Sequence, residues 1–267
     1  MIPFAFMLIA LLTDFGTRDP YVASMKGVIA GRCDATIIDL SHEIAPFDVF
    51  EAAFFLDAVM PYFPGARAGA VIESLFIAVV DPGVGTSRKI VAADLGGQLV
   101  LAPDNGLLTL VLERDPRLHS VENEQLFLPG GSATFHGRDR FAPVAAAIAG
   151  GLAAGAVGPP IGSDQLVRFD YSRPIYGSTA HGTIVAIDRF GNAVTDLEVS
   201  RCPDLSRSIA VIGDRRIEAF AGSYIEGPGG PFMIAGSRGT VEISLEQRSA
   251  ADVLHIERGQ RVEIRPR

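Results

Sequence analysis

The sequence predicts a two-domain protein, with an α/β N-terminal domain built on a mostly parallel sheet and a smaller C-terminal all-β barrel domain. In the first half, apolar runs of strand length alternate with segments of helical spacing. In the second half, short strand-like runs follow one another and helical pattern is nearly absent. Because 267 residues exceed a typical single domain, we expect residues 1–162 to form the α/β domain, 163–178 a linker and 179–267 the barrel.

The N-terminal elements follow from the order of the apolar runs. Residues 7–12 are an unbroken apolar run and predict a buried strand, and residues 20–32 predict the helix after it. Residues 35–39 and 48–60 repeat this alternation as strand and helix, and residues 75–80 predict a third strand. The loops after parallel strands gather at one edge of the sheet, which is where such folds bind ligands.

The next elements are marked by turns. Residues 89–95 and 98–102 flank a pair of glycines, which is a two-residue hairpin signal. Residues 107–113 and 141–152 predict helices, each introduced by a polar turn. Residues 163–178 have mixed charge, a proline and no periodicity, as is typical of a linker.

The sequence pattern changes from Gly182 onward, where short strand-like runs are separated by turns. Such spacing predicts a small β-barrel or sandwich, and we expect the barrel. The predicted strands are residues 183–187, 209–212, 215–220, 232–235, 241–245 and 261–264.

Composition restricts the class of partner. With 48% hydrophobic and 20% charged residues, the chain is an ordinary globular protein with enough apolar residues for a sizeable core. A net charge of −8 disfavours nucleic acid and anionic membranes as partners, because these are bound by positive surfaces. Cys33 and Cys202 lack the spacing of a zinc site or a disulfide framework. Residues 1–12 are apolar but lack signal-peptide features and are too short to span a bilayer, so we expect a cytoplasmic protein.

Two motifs carry the most chemical information: DPGVGTSR at residues 81–88 and TFHGRD at residues 134–139. Each places ionisable side chains where strand pattern gives way to a glycine-rich turn. Asp81, Arg88 and His136 are therefore candidates for a constellation that acts on a small molecule. The structural alternative is an Asx turn at Asp81, a surface ion pair with Arg88 and a histidine that only packs.

Three further polar residues stand at turns. Asp14 ends the first strand, where carboxylates bind ribose hydroxyls in nucleotide folds, although it could instead cap the following helix. Asp188 and Asn192 belong to a polar turn whose amide suits an adenine edge, although the segment could be a simple hairpin. A dinuclear metallophosphatase is disfavoured because nitrogen ligands are scarce, so we expect no metal.

Taken together, these motifs resemble the S-adenosylmethionine hydroxide adenosyltransferase family, the hydrolases related to fluorinase and chlorinase. The resemblance runs through both predicted domains, and the order and spacing of the motifs are more specific than any single one. The matching stretches are LLTDFGTRDPYVASMKGVI (11–29), DPGVGTSR (81–88), APDNGLL (102–108), TFHGRDRFAP (134–143) and IDRFGNAVTD (187–196).

The resemblance implies an enzyme that hydrolyses S-adenosyl-L-methionine to adenosine and L-methionine without a cofactor. It also implies a homotrimer that binds substrate between the first domain of one subunit and the second domain of its neighbour. Asp81, Arg88 and His136 correspond to the family's catalytic triad around the attacking water or hydroxide.

The implied substrate-binding residues are spread over both domains. Asp14 matches the residue for the ribose hydroxyls, Asp188 the one for the methionine ammonium, and Asn192 the one for the adenine or amino-acid end. Ser237 and Arg238 belong to a segment that resembles the grip on the methionine carboxylate. The adenine-contacting turn corresponds to Arg248, Ser249 and Ala250, although relatives commonly carry Asn where Ser249 stands.

Two departures separate this chain from the halide enzymes. A short glycine turn replaces the long insertion of the fluorinase, and His136-Gly137 stands where the halide pocket has Tyr-Ser. Both favour water over halide as the nucleophile. Halide adenosyl transfer and a non-catalytic sensor of adenosine or S-adenosylmethionine remain the alternative functions.

Overall fold

The computed structural model describes residues 7–65 and 71–267. The chain divides into two compact units, Met1–Phe169 and Asp170–Arg267, so the division falls within the predicted linker. The first six residues of the apolar N-terminal run lie outside the described residues. Among the helices of the described ranges, none is long and apolar enough to cross a membrane.

Within its described residues, the first unit has six strands and three α-helices. The strands are β1 (Leu8–Thr13), β2 (Thr36–Ser41), β3 (Ser74–Val79), β4 (Ile90–Asp94), β5 (Gln98–Pro103) and β6 (Arg117–Ser120). The helices are α1 (Tyr21–Ala30), α2 (Val49–Val59) and α3 (Ala142–Ala149). The predicted strands and the first two predicted helices are thereby confirmed, whereas β6 was not predicted.

The first sheet has the strand order β2-β1-β3-β5-β4-β6. The neighbours β2-β1, β1-β3 and β3-β5 pair in parallel, whereas β4 is antiparallel to both β5 and β6. The sheet is therefore mixed, and the expectation of a mostly parallel sheet is not confirmed. The reason is the Gly96-Gly97 hairpin between β4 and β5, since so short a connection joins only antiparallel strands.

Both faces of this sheet are buried. On one face, Ile9, Leu11 and Ile77 pack with residues of α1 and α3. On the other face, Leu12 and Phe76 pack with residues of α2. Because helices cover both faces, β1 and β3 have no solvent side and read as unbroken apolar runs in the sequence.

Two predicted helices differ from the structure. The helix predicted over residues 107–113 is instead a series of turns that ends in a 3₁₀ turn, Val111–Arg114. The helix predicted over residues 141–152 is shorter, and a π-helical turn, Gly137–Phe141, precedes it. Pro143 has no N–H for the Asp139 carbonyl, which accepts from the Leu128 N–H at 2.9 Å instead.

The second unit is built from eight strands and one short helix. The strands are β7 (Ala180–Ile187), β8 (Ala193–Glu198), β9 (Ser208–Ile212), β10 (Arg215–Ile217), β11 (Ala219–Phe220), β12 (Phe232–Ala235), β13 (Thr240–Ser244) and β14 (Arg261–Pro266). The helix is α4 (Ala250–Leu254). All six predicted strand segments are present, one of them split into β10 and β11, and β8 was not predicted.

These strands form one nearly closed sheet in the order β10-β9-β14-β7-β8-β13-β12-β11. Its two edge strands, β10 and β11, are consecutive in the chain and only Glu218 separates them. A sheet whose first and last strands are so linked must curl back on itself. The apolar interior includes Ile184, Ile212, Met233 and Ile243.

Candidate active site

Three side chains from two loops of the first unit meet beyond the carboxyl end of β3. The Arg88 Nε donates to Asp81 Oδ1 at 2.9 Å, and its Nη2 donates to Asp81 Oδ2. The same Nη2 lies 3.0 Å from His136 Nδ1. The side chains of Asp81 and Arg88 are 4% and 8% exposed, and His136 is 2% exposed. The structure thus brings together the three residues predicted to converge.

The hydrogen bond from Arg88 fixes the proton on His136. A guanidinium only donates hydrogen bonds, so Nδ1 must be the acceptor and a neutral ring carries its proton on Nε2. Burial, followed by the positive charges of Arg140 and Arg88, lowers the pKa of His136 below its ordinary value of 6.5. At neutral pH, His136 is therefore a neutral ring whose Nε2–H can donate a hydrogen bond.

Two buried polar atoms at this place have no partner among the described residues: Arg88 Nη1 and His136 Nε2. Both carry hydrogen and neither can accept in this protonation state. A buried donor without a partner costs about 1–3 kcal/mol, and such atoms in a folded protein call for an explanation. Beside the Asp81 carboxylate, two free donors suit a ligand oxygen.

A cavity of about 190 Å³ adjoins these groups, and Asp81 and His136 form part of its wall. Phe15, Tyr21 and Phe135 also line it, with ring centroids 5.1 to 6.0 Å apart. Aromatic faces attract cations and stack on planar rings. The sequence did not mark these aromatic residues, although Phe15 and Phe135 each adjoin a residue that it did.

Two glycines allow the close packing around this cavity. Gly85 has φ +82°, and a Cβ there would lie 2.6 Å from the Ala133 carbonyl oxygen, so only glycine lets the two loops meet. At Gly137, a Cβ would lie 3.1 Å from the Met25 sulfur and 3.4 Å from the Phe15 ring. A side chain at residue 137 would therefore have to displace its neighbours.

Asp14 lies at the same edge of the sheet, as expected, and is half-buried. Its Oδ2 accepts from the Phe47 N–H at 2.8 Å. Phe47 has φ +68° and is 69% exposed, which is an unusual backbone state for a large residue. The N-cap of α1 is Pro20, with no side-chain cap, so the alternative of Asp14 as a helix cap is wrong.

The second unit has its own cavity, of about 750 Å³. Its wall includes five of the predicted substrate-binding residues, namely Asp188, Asn192, Ser237, Arg248 and Ser249. Arg238 is exposed and Ala250 is buried, and neither belongs to the wall of this cavity.

The turns that line this cavity are strongly hydrogen-bonded. Asp188 Oδ1 accepts from the N–H groups of Phe190 and Asn192 at 2.9 and 2.8 Å, and Oδ2 accepts from Asn192 Nδ2 at 2.8 Å. The Ser249 Oγ caps α4 by accepting from the Asp252 N–H at 3.0 Å. Asp188, Asn192 and Ser249 thus all have structural roles beside any contact with a ligand.

Sequence reasoning missed a pair of residues in this cavity, Tyr224 and Glu242. The Tyr224 hydroxyl donates to Glu242 Oε2 at 2.9 Å, and Glu242 is only 6% exposed. Burial, the hydrogen bond and the charge of Glu242 raise the pKa of Tyr224 to about 12. Burial also raises the pKa of Glu242, and the nearby Asp188 charge adds to that effect. The available signal was a lone glutamate inside the apolar run of residues 241–245.

Comparison with known proteins places both units in one family. The model of the SAM hydroxide adenosyltransferase N-terminal domain matches residues 9–158, and that of the C-terminal domain matches residues 182–263. An (R)-S-adenosyl-L-methionine hydrolase of Thermus thermophilus is 39% identical over 264 residues, which are 95% of this chain and 97% of that protein. A fluorinase of an Actinoplanes species is 29% identical over 219 residues, 71% of each chain. The crystal structure of an uncharacterized conserved protein from Thermotoga maritima is 32% identical, with a TM-score of 0.88 over 96% of this chain and 99% of that one.

Proposed function

This chain belongs to the SAM hydroxide adenosyltransferase family, and we propose that it hydrolyses S-adenosyl-L-methionine to adenosine and L-methionine. The observation that carries the proposal is the buried contact of Asp81, Arg88 and His136 beside an aromatic-lined cavity. The similarity to a full-length hydrolase supports the same reaction.

The reaction needs a nucleophile and no general acid. Attack at the ribose 5′ carbon forms a carbon–oxygen bond and breaks the carbon–sulfur bond, and the electron pair of that bond neutralises the sulfonium. Methionine leaves as a neutral thioether that takes up no proton. Water has a pKa of 15.7 and a carboxylic acid one near 4, so complete deprotonation by Asp81 would cost on the order of 16 kcal/mol. Asp81 therefore does not generate free hydroxide by itself.

The free donors indicate how the site favours an oxygen nucleophile. Arg88 Nη1 and His136 Nε2–H both donate, so each can stabilise negative charge on an oxygen that comes within its reach. His136 cannot act as the base through Nε2, because that atom carries the ring proton. Asp81 then orients the nucleophile, and when water attacks it accepts the proton as the new bond forms.

Gly137 disfavours the halide reaction. A serine there would place its Cβ 3.1 Å from the Met25 sulfur and 3.3 Å from the Phe135 ring. Position 137 is thus packed for glycine, and its neighbour His136 is engaged by Arg88. We expect chloride to yield no 5′-halogenated nucleoside in place of adenosine.

The substrate spans two sets of groups in this proposal. Asp14 of the first unit binds the ribose hydroxyls and Asp188 of the second binds the methionine ammonium. Asn192 serves the adenine or amino-acid end, Ser237 and Arg238 the carboxylate, and Arg248, Ser249 and Ala250 the adenine. The complete site forms in a homotrimer, between the first unit of one subunit and the second unit of its neighbour, and requires no cofactor. Support comes from the two cavities, since Asp81 and His136 line the one in the first unit and five of the substrate-binding residues line the one in the second.

The direct test is to incubate the purified chain with S-adenosyl-L-methionine and separate the products by chromatography. We expect equal amounts of adenosine and L-methionine, and turnover that rises with pH because hydroxide is the better nucleophile. Asp81→Ala should abolish turnover and leave the Kd for substrate within about threefold, because Asp81 acts on the nucleophile. Binding without release of methionine by the unaltered chain would indicate a sensor, and a flat pH profile would contradict hydroxide attack.

A further inference from the structure

The loop after β2 is bonded to the loop after β1 through His42, a buried residue with 5% of its surface exposed. Its Nδ1 lies 2.8 Å from the Oγ1 of Thr13, which is completely buried. The same Oγ1 accepts from the Phe15 N–H at 3.2 Å. The His42 carbonyl accepts from the Gly16 N–H at 2.7 Å. His42 thus holds the residues on both sides of Asp14.

The ring of His42 is also held from its other side. Its Nε2 lies 3.0 Å from Asp39 Oδ1, and Asp39 Oδ2 lies 2.6 Å from Lys26 Nζ. Partial burial acts to raise the pKa of Asp39, but the bonds from Lys26 and His42 outweigh it and the net pKa is lowered. A charged carboxylate therefore lies beside Nε2.

The proton positions follow from the hydroxyl of Thr13. Its oxygen accepts from the Phe15 N–H and keeps one proton to donate, which Nδ1 of His42 can accept when Nδ1 carries no proton itself. Nε2 then carries the ring proton, and Asp39 Oδ1 lies 3.0 Å from it. In this arrangement, an acceptor at the position of Nδ1 is what orients Thr13.

We propose that His42 is a positioning residue that sets the Asp14 carboxylate and the Phe15 ring for the substrate. This rests on the proposed function, in which Asp14 binds the ribose hydroxyls. Asp14 lies between two residues bonded to His42, directly or through Thr13, and its own Oδ2 accepts from Phe47 of the same β2 loop. Phe15 lines the cavity beside Asp81. His42 itself does not line that cavity, so it acts through these neighbours.

Two variants of His42 separate hydrogen bonding from packing. In His42→Asn, the amide oxygen occupies about the place of Nδ1 and can still accept from Thr13. In His42→Leu, the acceptor is lost and the buried Thr13 hydroxyl has no partner. We expect His42→Leu to raise the KM for S-adenosyl-L-methionine about tenfold with kcat changed less than threefold, and His42→Asn to stay within about threefold in both.

Calorimetric binding of two nucleosides to the full chain tests the role itself. Adenosine has the hydroxyls that Asp14 would bind, and 2′,3′-dideoxyadenosine lacks them. In His42→Leu, the affinity for adenosine should fall about tenfold while that for the dideoxy compound stays the same, as in Asp14→Asn. If His42→Leu does not fold, Thr13→Val removes the same hydroxyl at nearly constant shape and should give the same selective loss.

The outcomes distinguish this inference from the proposed function. Equal loss of both nucleosides in His42→Leu, or failure of His42→Asn to restore adenosine binding, would overturn the positioning role even if the unaltered chain hydrolyses S-adenosyl-L-methionine. If the unaltered chain binds neither nucleoside and releases no methionine, the proposed function falls and the inference falls with it.

Discussion

Burial and two guanidinium groups lower the pKa of His136, and its sequence motif gives no sign of this. Arg88 donates to its Nδ1, and the charge of Arg140 acts on the same ring. Sequence spacing could predict that Asp81, Arg88 and His136 meet, because each follows an element that ends at a ligand-binding edge. It could not predict which ring nitrogen carries the proton, since that depends on a hydrogen bond between residues 48 positions apart.

His136 should make the protein less stable in acid. Its pKa is lowered in the folded state, so below its ordinary value of 6.5 the unfolded chain takes up more protons than the folded one. The neutral His136 ring therefore contributes fully to the free energy of unfolding above about pH 6.5. This contribution is lost as the pH falls through the lower pKa of the folded state. Urea unfolding between pH 5 and 8 would measure the slope, which His136→Gln should reduce.

The matched control for that slope is His255, an exposed histidine at the end of α4. It has φ +50°, a conformation that asparagine tolerates, so His255→Asn removes one exposed histidine without adding backbone strain. If both variants kept the slope of the unaltered chain, another group would be its source.

Glu242 should control the ionisation of Tyr224. Burial, the hydrogen bond to Glu242 and its charge hold the pKa of Tyr224 at about 12. Glu242→Gln removes the charge, so the pKa should fall, although burial persists. At pH 11, Glu242→Gln should therefore show phenolate absorbance from Tyr224, whereas the unaltered chain should not. Tyr224→Phe, which lacks this hydroxyl, gives the baseline. Glu246→Gln, in the turn that follows β13, is the control, and an equal response from it would contradict the pairing.

At the scale of elements, the local sequence pattern was sufficient to predict the buried strands. It was insufficient for elements whose structure depends on contacts with other parts of the chain. The strands β1 and β3 are covered on both faces, so their apolar runs are continuous and unambiguous. By contrast, β6 is four residues long and only Leu118 in it is apolar, and β8 carries Thr195 and Asp196 in its middle. At the π-helical turn before α3, Pro143 has no N–H for the Asp139 carbonyl, which the Leu128 N–H from the preceding loop bonds instead.

The loop between β3 and β4 depends on Gly85 for its contact with the loop before His136. Gly85→Ala would place a side chain at φ +82° and its Cβ 2.6 Å from the Ala133 carbonyl oxygen. We expect a loss of at least about 1 kcal/mol in the free energy of unfolding, and a larger relative loss of turnover because the two loops separate.

Gly83 is the matched control in the same loop. A Cβ there would meet its nearest neighbour, the Arg88 side chain, at 3.6 Å, which is an ordinary contact. Gly83→Ala should therefore preserve both stability and turnover. Urea unfolding and product release measured on the two variants test the difference, and similar losses in both would show that the loop tolerates no side chain anywhere.

At the scale of the whole molecule, the change from alternating strand and helix patterns to strand patterns alone was enough to predict an α/β unit followed by a β unit. The sequence pattern did not lead to the prediction of a mixed first sheet, although it did predict the hairpin that makes β4 antiparallel to β5. The near closure of the second sheet follows from β10 and β11 being consecutive in the chain, which requires their pairing partners to be known. The arrangement of the proposed site across subunits depends on a contact that no single-chain pattern contains.

Mixing of two inactive variants tests whether the site is shared between subunits. Asp81→Asn disables the first unit and Asp188→Ala disables the second, and each protein alone should be inactive. In randomly mixed trimers, a site formed by the first unit of one subunit and the second unit of its neighbour is intact in about a quarter of cases. Co-expressed with different tags and purified together, the variants should therefore recover about a quarter of the normal activity.

The control mixture combines Asp81→Asn with Arg88→Ala, which are both defects of the first unit and whose side chains contact each other. Every first unit in that mixture is defective, so no arrangement of subunits restores a site. A shared site thus requires recovery in one mixture and none in the other. Recovery in neither, with mixed oligomers shown to form, would mean that each subunit completes its own site, and the two units of a single chain would then have to enclose the substrate themselves.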